Sequence, residues 1–221
     1  MLPGSMRRTR TALQASGLPL CMDGPCRRRE RADGVSAIDR SNYTDINVST
    51  IDGWIEEGWE WGTPISHEKF MRAQMGDWSI VLTPTIPVPR AWFPKSLAGC
   101  HVLGLALGGG QQMPIMAACG ARCTVLDYSE RQLASEREVA EREGYEIECV
   151  RADMTHPLPF ADEAFDLKED GVQFSHTFDE QIRGQLQAGF ALIDCYEDTD
   201  GEGRLHDLRI PTFWATCAER R

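Results

Sequence analysis

The sequence predicts an α/β protein built on a parallel sheet, and three observations carry that expectation. From Leu97 onward, short apolar runs alternate with helix-compatible segments. Each helix-compatible segment closes on a glycine, Gly120 and then Gly144, as helix C-termini favour. The first apolar run, Val102, Leu103, Leu105 and Leu107, passes straight into Gly108-Gly109-Gly110. Strand–helix–strand alternation at this spacing implies parallel strands joined by right-handed crossovers.

Taken in order, strand one is expected over His101 to Leu107, as a strand buried on both faces. A helix follows through Met113, Ile115, Met116 and Ala117, then strand two from Cys123 to Tyr128. Ser129-x-x-Gln132 has the form of a capping box opening a helix from Glu130 to Glu143. Strand three spans Glu146 to Ala152 and ends in Asp153. Ala164 to Leu167 then starts like a fourth buried strand, but Lys168-Glu169-Asp170-Gly171 interrupts it. Charges in the middle of a doubly covered strand are costly. Beyond the break, Thr177-x-x-Glu180 opens a helix to Ala188, followed by strands from Phe190 to Tyr196 and near Phe213 to Cys217.

The segment before this alternation divides in two. Residues 1–40 carry 8 Arg and 4 acids with few large apolar side chains, which reads as a disordered tail or as translation from an early start codon. Transit peptides share an Arg-rich start, but no amphipathic helix stands out. Residues 41–95 form a helical, aromatic-rich cap and a connector. Ile46, Val48, Ile51, Trp54 and Ile55 fit one helix, Phe70 and Met71 a second opened by Ser66, and the prolines at 84, 87, 89 and 94 an extended link. Residues 96–221 form the α/β domain.

The 221 residues are 42% hydrophobic and 26% charged, as in globular domains, and no run has the length of a membrane span. The net charge of −11 argues against nucleic-acid binding, which needs clustered Lys and Arg. Eight cysteines without a C-x-x-C pair point to buried free thiols in a reducing cytoplasm rather than a zinc site or disulfide framework.

A strand, a glycine loop, a helix and an acid at the end of the next strand bind a nucleoside cofactor, either a nicotinamide dinucleotide or S-adenosylmethionine. The dinucleotide fingerprint G-x-G-x-x-G fails in both registers: from Gly108 its sixth position is Met113, and from Gly104 its third is Ala106. Taken alone, Asp127 could equally begin a helix-capping turn, and Asp153 could be an ordinary turn residue. Of the near-neutral bases, His67 and His176 stand without a recognisable partner pattern.

The stretch from HVLGLALGGGQQ through CTVLDYS and VRADM to PFADEAFD resembles the cofactor half of a bacterial class I S-adenosylmethionine-dependent methyltransferase of the broad type 11 kind. NYTDINVSTIDGWIEEGWEWGTPIS and FSHTFDEQIRGQLQAGF through FWAT resemble the N-terminal cap and C-terminal end of one subgroup. The resemblance implies a Rossmann-like sheet with helices on both faces and S-adenosyl-L-methionine as cofactor. In this reading Ala106, Gly108, Gly109 and Gly110 cradle the methionine moiety. Asp127 binds the ribose, Tyr128 flanks the adenine, and Asp153 with Met154 meets its edge. Gly104 departs from the pattern, standing where many relatives carry an acid, and Ala106 replaces a glycine, tolerable if its φ is negative. The larger departure is a missing middle. About two βαβ units, at about 30 residues each, are absent at a junction near 167–171. The expectation is therefore a methyltransferase truncated in the middle, acting on a small-molecule acceptor if at all. The alternatives are a non-catalytic adenosyl-binding or interaction protein and, less favoured, a nicotinamide-dependent oxidoreductase.

Overall fold

The computed structural model describes residues 11–16, 43–154, 156–160 and 178–220. The expected fourth strand, the 167–171 junction, His176 and Thr177 lie outside them. In chain order the described elements are β1 (Thr11–Ser16), α1 (Tyr43–Glu56), α2 (His67–Gln74), β2 (His101–Leu105), α3 (Gln112–Ala118), β3 (Arg122–Asp127), α4 (Glu130–Glu143), β4 (Ile147–Arg151), α5 (Phe178–Gln187), β5 (Phe190–Asp198), α6 (Gly203–Asp207) and β6 (Phe213–Arg220). Single 3-10 turns at Glu60–Gly62 and Arg90–Trp92 punctuate the cap and the connector.

Among the described residues the strands form two sheets. β2, β3 and β4 are parallel, in that order, with Leu105 opposite Leu126 and Asp127 opposite Arg151. β5 and β6 form an antiparallel hairpin whose outer strand pairs with β1, so the second order is β1-β6-β5. Over Thr11–Ser16, β1 departs from the expected disordered tail, while the rest of residues 1–40 lies outside the described residues. Thr11–Ser16 runs in continuous register with Trp214–Glu219, satisfying an edge of main-chain donors and acceptors that the local sequence gives no sign of seeking.

Position in the sheet explains a second correction. β3, paired on both sides, is deeply buried from Cys123 to Leu126. β2 is expected from its composition to be equally buried, yet only Gly104 is, and Val102, Leu103 and Leu105 are half-exposed. No described strand pairs with its outer edge. β2 also ends at Leu105 rather than Leu107, because the chain turns left-handed at Ala106.

The helices begin and end on local signals. The Ser66 hydroxyl accepts the Lys69 N–H at the start of α2, and Gly144 closes α4 with a left-handed φ of 73°. Phe70 of α2 stacks on Tyr145, with ring centroids 5.5 Å apart, bringing the cap onto the core. Met113 and Met116 of α3, Val125 of β3 and Leu133 and Val139 of α4 share one cluster with Trp92 of the connector and with Ala215 and Cys217 of β6. The hairpin thus docks through side chains. Trp92 Nε1 donates to Asp194 at 2.7 Å, and its ring lies 5.4 Å from that of Tyr196.

Asp198 pins the end of β5 to the connector. Its carboxylate accepts from the Thr85 and Ile86 amides at 2.7 and 3.0 Å and from the Thr199 amide at 2.8 Å. Burial raises its pKa, but these donors, with the Thr85 and Thr83 hydroxyls, outweigh that and hold it below the usual carboxylate range. A group whose pKa falls on folding contributes stability above its unfolded pKa and loses it on acidification through the folded one. Asp198→Ala strips the acceptor from three partly buried amides and is expected to cost about 2 kcal/mol in urea unfolding near neutral pH. The difference from the native chain should shrink below pH 4.

Candidate functional site

The glycine loop leaves β2 through Ala106, whose N–H donates to the Leu126 carbonyl at 2.9 Å. Its φ is +49°, so the negative angle required of alanine at this position is not found. A left-handed alanine costs roughly 1–2 kcal/mol, sustained here by the packing around it. The three glycines that follow bring the backbone against its neighbours. A Cβ at Gly108 would stand 2.5 Å from Gln132 Cβ and 2.9 Å from Asp127 Oδ2, and one at Gly109 would stand 2.7 Å from the Trp61 carbonyl. Gly109 and Gly110 also have φ of +102° and +70°, where a side chain is strained regardless of space.

All three glycine amides turn toward the chain's own acceptors. Gly108 N–H donates to Asp127 Oδ2 at 3.0 Å, Gly109 N–H to the Gln132 carbonyl at 2.9 Å, and Gly110 N–H to Glu136 Oε1 at 2.8 Å. The loop is thereby clamped to the end of β3 and to α4. Gly104 has a steric reason to lack the acid of its relatives: a Cβ there would lie 2.9 Å from Met113 Sδ.

Asp127 serves the turn and faces the loop at once. Its Oδ1 accepts the Ser129 N–H at 2.9 Å. That takes the donor a complete capping box would offer to Gln132, so the box is half formed: Ser129 Oγ accepts the Gln132 N–H at 3.0 Å, while Gln132 Oε1 is buried with no hydrogen-bond partner among the described residues. Burial raises the Asp127 pKa, opposed by backbone bonds from Ser129, Gly108 and Tyr128. The Ala152 amide donates to the Asp127 carbonyl at 3.2 Å, which aligns the ends of β3 and β4 and sets Asp153 beside the site. Asp153 Oδ2 lies 3.7 Å from His156 Nδ1, and Met154 is buried. The Arg151 guanidinium sits 5.3 Å from the centre of the Tyr128 ring.

The cap closes over these strand ends. Tyr128 OH donates to Asp45 at 2.6 Å, Ser129 Oγ to Asp52 at 2.6 Å, and Arg131 pairs with Glu56 at 2.7 Å. Gln111 donates from the loop's far end to the Glu60 and Thr63 carbonyls at 2.6 and 3.0 Å. The structure therefore gathers Ala106, the three glycines, Asp127, Tyr128, Asp153 and Met154 around three adjoining strand ends. It leaves His67 outside, its Nδ1 2.7 Å from Glu143 Oε2. It adds Gln132 and Glu136, which the sequence reading passes over. Glu136 had a visible signal, a charge on the same helical stripe as Leu133 and Ala140. Burial pushes its carboxyl up to about 8, partly offset by the Gly110 amide and increased by the Asp127 charge.

A parallel sheet whose first loop is glycine-rich, and whose second strand ends in a carboxylate against that loop, is a nucleoside-cofactor domain of the Rossmann-like class. The family described as "Methyltransferase domain" matches residues 103–178. The "Uncharacterized methyltransferase YbaJ" of Bacillus subtilis (strain 168) is 44% identical over 246 residues, covering 77% of this chain and 95% of that relative. The chain belongs to the methyltransferase family of that relative. Among solved structures, an S-adenosylmethionine-dependent methyltransferase from Mesorhizobium loti aligns at 18% identity and TM-score 0.45, over 59% of this chain and 95% of that one. One from Geobacter sulfurreducens, in complex with S-adenosyl-L-homocysteine, aligns at 14% identity and TM-score 0.44, over 79% and 98%.

Gly109→Ala forces a side chain into a left-handed position against the Trp61 carbonyl. It is expected to destabilise the protein by about 2 kcal/mol in chemical denaturation. Glu136 adds a pH dependence. Unfolded, it ionises near 4.5. The folded state therefore binds the extra proton between there and about 8, and its contribution to stability falls as pH rises across that window. Thermal unfolding of Glu136→Gln should show less loss between pH 6 and 9 than the native chain.

Proposed function

We propose that Ala106, Gly108, Gly109, Gly110, Asp127, Tyr128, Asp153 and Met154 hold S-adenosyl-L-methionine, and that an internal deletion near 167–171 leaves this half of the site while curtailing transfer. The observation that carries the binding assignment is the Asp127 carboxylate, held 3.0 Å from the Gly108 amide where β2 and β3 end together. A carboxylate accepts about four hydrogen bonds. Two backbone donors, from Ser129 and Gly108, leave it capacity for a ribose hydroxyl. Tyr128 stands next in the chain to flank an adenine, with Asp153 and Met154 following the adjoining strand to meet the ring's edge.

When bound, S-adenosylmethionine supplies a methyl group on a sulfonium, ready for direct displacement by an acceptor atom. The chain's task is orientation and exclusion of water. Asp127 fixes the ribose end, the glycine loop allows close approach, and α1 with Trp54 and Trp59, whose rings meet at 5.5 Å, covers the strand ends. No side chain is assigned as a base: His67 lies apart from the gathered residues, against Glu143. A small-molecule acceptor fits the net charge of −11, which disfavours nucleic acid. Among the described residues no helix is long and apolar enough to cross a membrane, and we place the protein in the cytoplasm on its cysteine usage.

The deletion reading draws support from the match to the Bacillus relative. It spans 246 positions, yet takes up 77% of these 221 residues, so roughly 75 positions have no counterpart here, close to two βαβ units. The absence of a described strand beside the outer edge of β2 is in keeping with that loss. The same observations favour a second reading, a binder of the cofactor without catalysis.

Thermal unfolding with S-adenosylhomocysteine, and with NAD as control, tests the assignment. A transition raised only by the adenosyl ligand is expected, growing with ligand concentration. A shift with NAD alone would overturn it in favour of an oxidoreductase. Release of S-adenosylhomocysteine in the presence of small acceptors then separates the two readings, and turnover at a rate normal for the family would sink the idea of curtailed transfer.

A further inference from the structure

Glu136 is the most deeply buried acid among the described residues, at 0% exposure. It lies on the face of α4 that also carries Ser129 and Gln132, and this face underlies the glycine loop from Gly108 to Gly110. Its Oε1 takes the Gly110 N–H, and its Oε2 has no hydrogen-bond partner among the described residues. The groups that face it are Asp127 and Cys123 of β3, Cys149 of β4 and Tyr145 beyond α4, all acidic or neutral. Leu133 and Ala140 flank it on the stripe, so an apolar side chain would serve packing at lower desolvation cost. What the carboxyl adds is an acceptor for one peptide. The other end of that peptide's residue is also taken, since the Gly110 carbonyl accepts the Ile65 N–H at 2.9 Å. Gly110 is thus tied to α4 on one side and to the cap on the other, and among the described residues its N–H makes the loop's one bond to a side chain of α4.

We propose that Glu136 is a positioning residue for the cofactor: through the Gly110 peptide it fixes the turn of the glycine loop against α4 and the cap. The proposal rests on the reading of that loop as an S-adenosylmethionine site. Glu136 acts through the loop and touches no ligand atom. Because an ionised carboxylate accepts a stronger hydrogen bond than a neutral acid, the loop tightens as Glu136 loses its proton, and cofactor affinity follows.

Titration calorimetry with S-adenosylhomocysteine on the full chain, for the native protein, Glu136→Gln and Glu136→Ala, tests this between pH 6.5 and 9. Glutamine keeps a neutral acceptor for Gly110, whereas alanine removes it. The expected result is native-like affinity for Glu136→Gln at pH 7 and a loss of about tenfold for Glu136→Ala, as for removal of one hydrogen bond to a buried amide. The native affinity should rise about threefold with pH, and the glutamine variant should give a flat profile. Native-like affinity of folded Glu136→Ala would overturn the proposal. So would equal losses in both variants, or the same pH profile in the native chain and Glu136→Gln. If Glu136→Ala does not fold, the comparison of pH profiles decides. Failure of the native chain to bind at all would overturn the cofactor reading itself, and this proposal with it.

Discussion

The arrangement of the site depends on one carboxylate. Asp127 ends β3 and holds the Gly108 and Ser129 amides with its two oxygens. One bond draws the glycine loop onto the sheet, and the other starts α4. Its backbone carbonyl takes the Ala152 amide and so aligns β4. Three consecutive strand ends are thereby registered around a single residue. Burial makes this anchoring costly unless donors are supplied, and the backbone supplies them.

That anchor also explains why the loop is tight. With Gly108, Gly109 and Gly110 all donating inward, there is no room for a Cβ at the first two positions and no favourable φ for one at the last two. Ala106 bears the remaining strain. The cap adds a second layer, in which Asp45, Asp52 and Glu56 of α1 reach Tyr128, Ser129 and Arg131 at the start of α4. Acids on the cap meet hydroxyls and a guanidinium on the domain, so the two parts meet through polar bonds over an apolar floor.

The two sheets are held together by side chains. The C-terminal hairpin belongs to a different sheet from β2, β3 and β4 among the described residues. It is held by Asp198 on the connector amides, by Trp92 on Asp194 and Tyr196, and by Ala215 and Cys217 in the shared core. Side-chain packing does here what main-chain pairing does inside a continuous sheet. Such docking is more local, and among the described residues β2 is half-exposed.

The sequence by itself determined the alternation of elements, the glycine loop, the acids that close β3 and β4, the family, and the residues from Ala106 to Met154 that meet at one end of the sheet. These follow from periodicity and from residue types with narrow conformational use, which act over a few neighbours. Only the tertiary structure decided that Ala106 is left-handed, that the Ser129 box is half formed because Asp127 takes its amide, and that no described strand covers the outer side of β2. It also decided that Thr11–Ser16 pairs with β6 and that Glu136 lies under the loop. Each of these depends on which distant group competes for a donor or a strand edge. A single chain of residue types does not encode that competition until the sheet brings the competitors together.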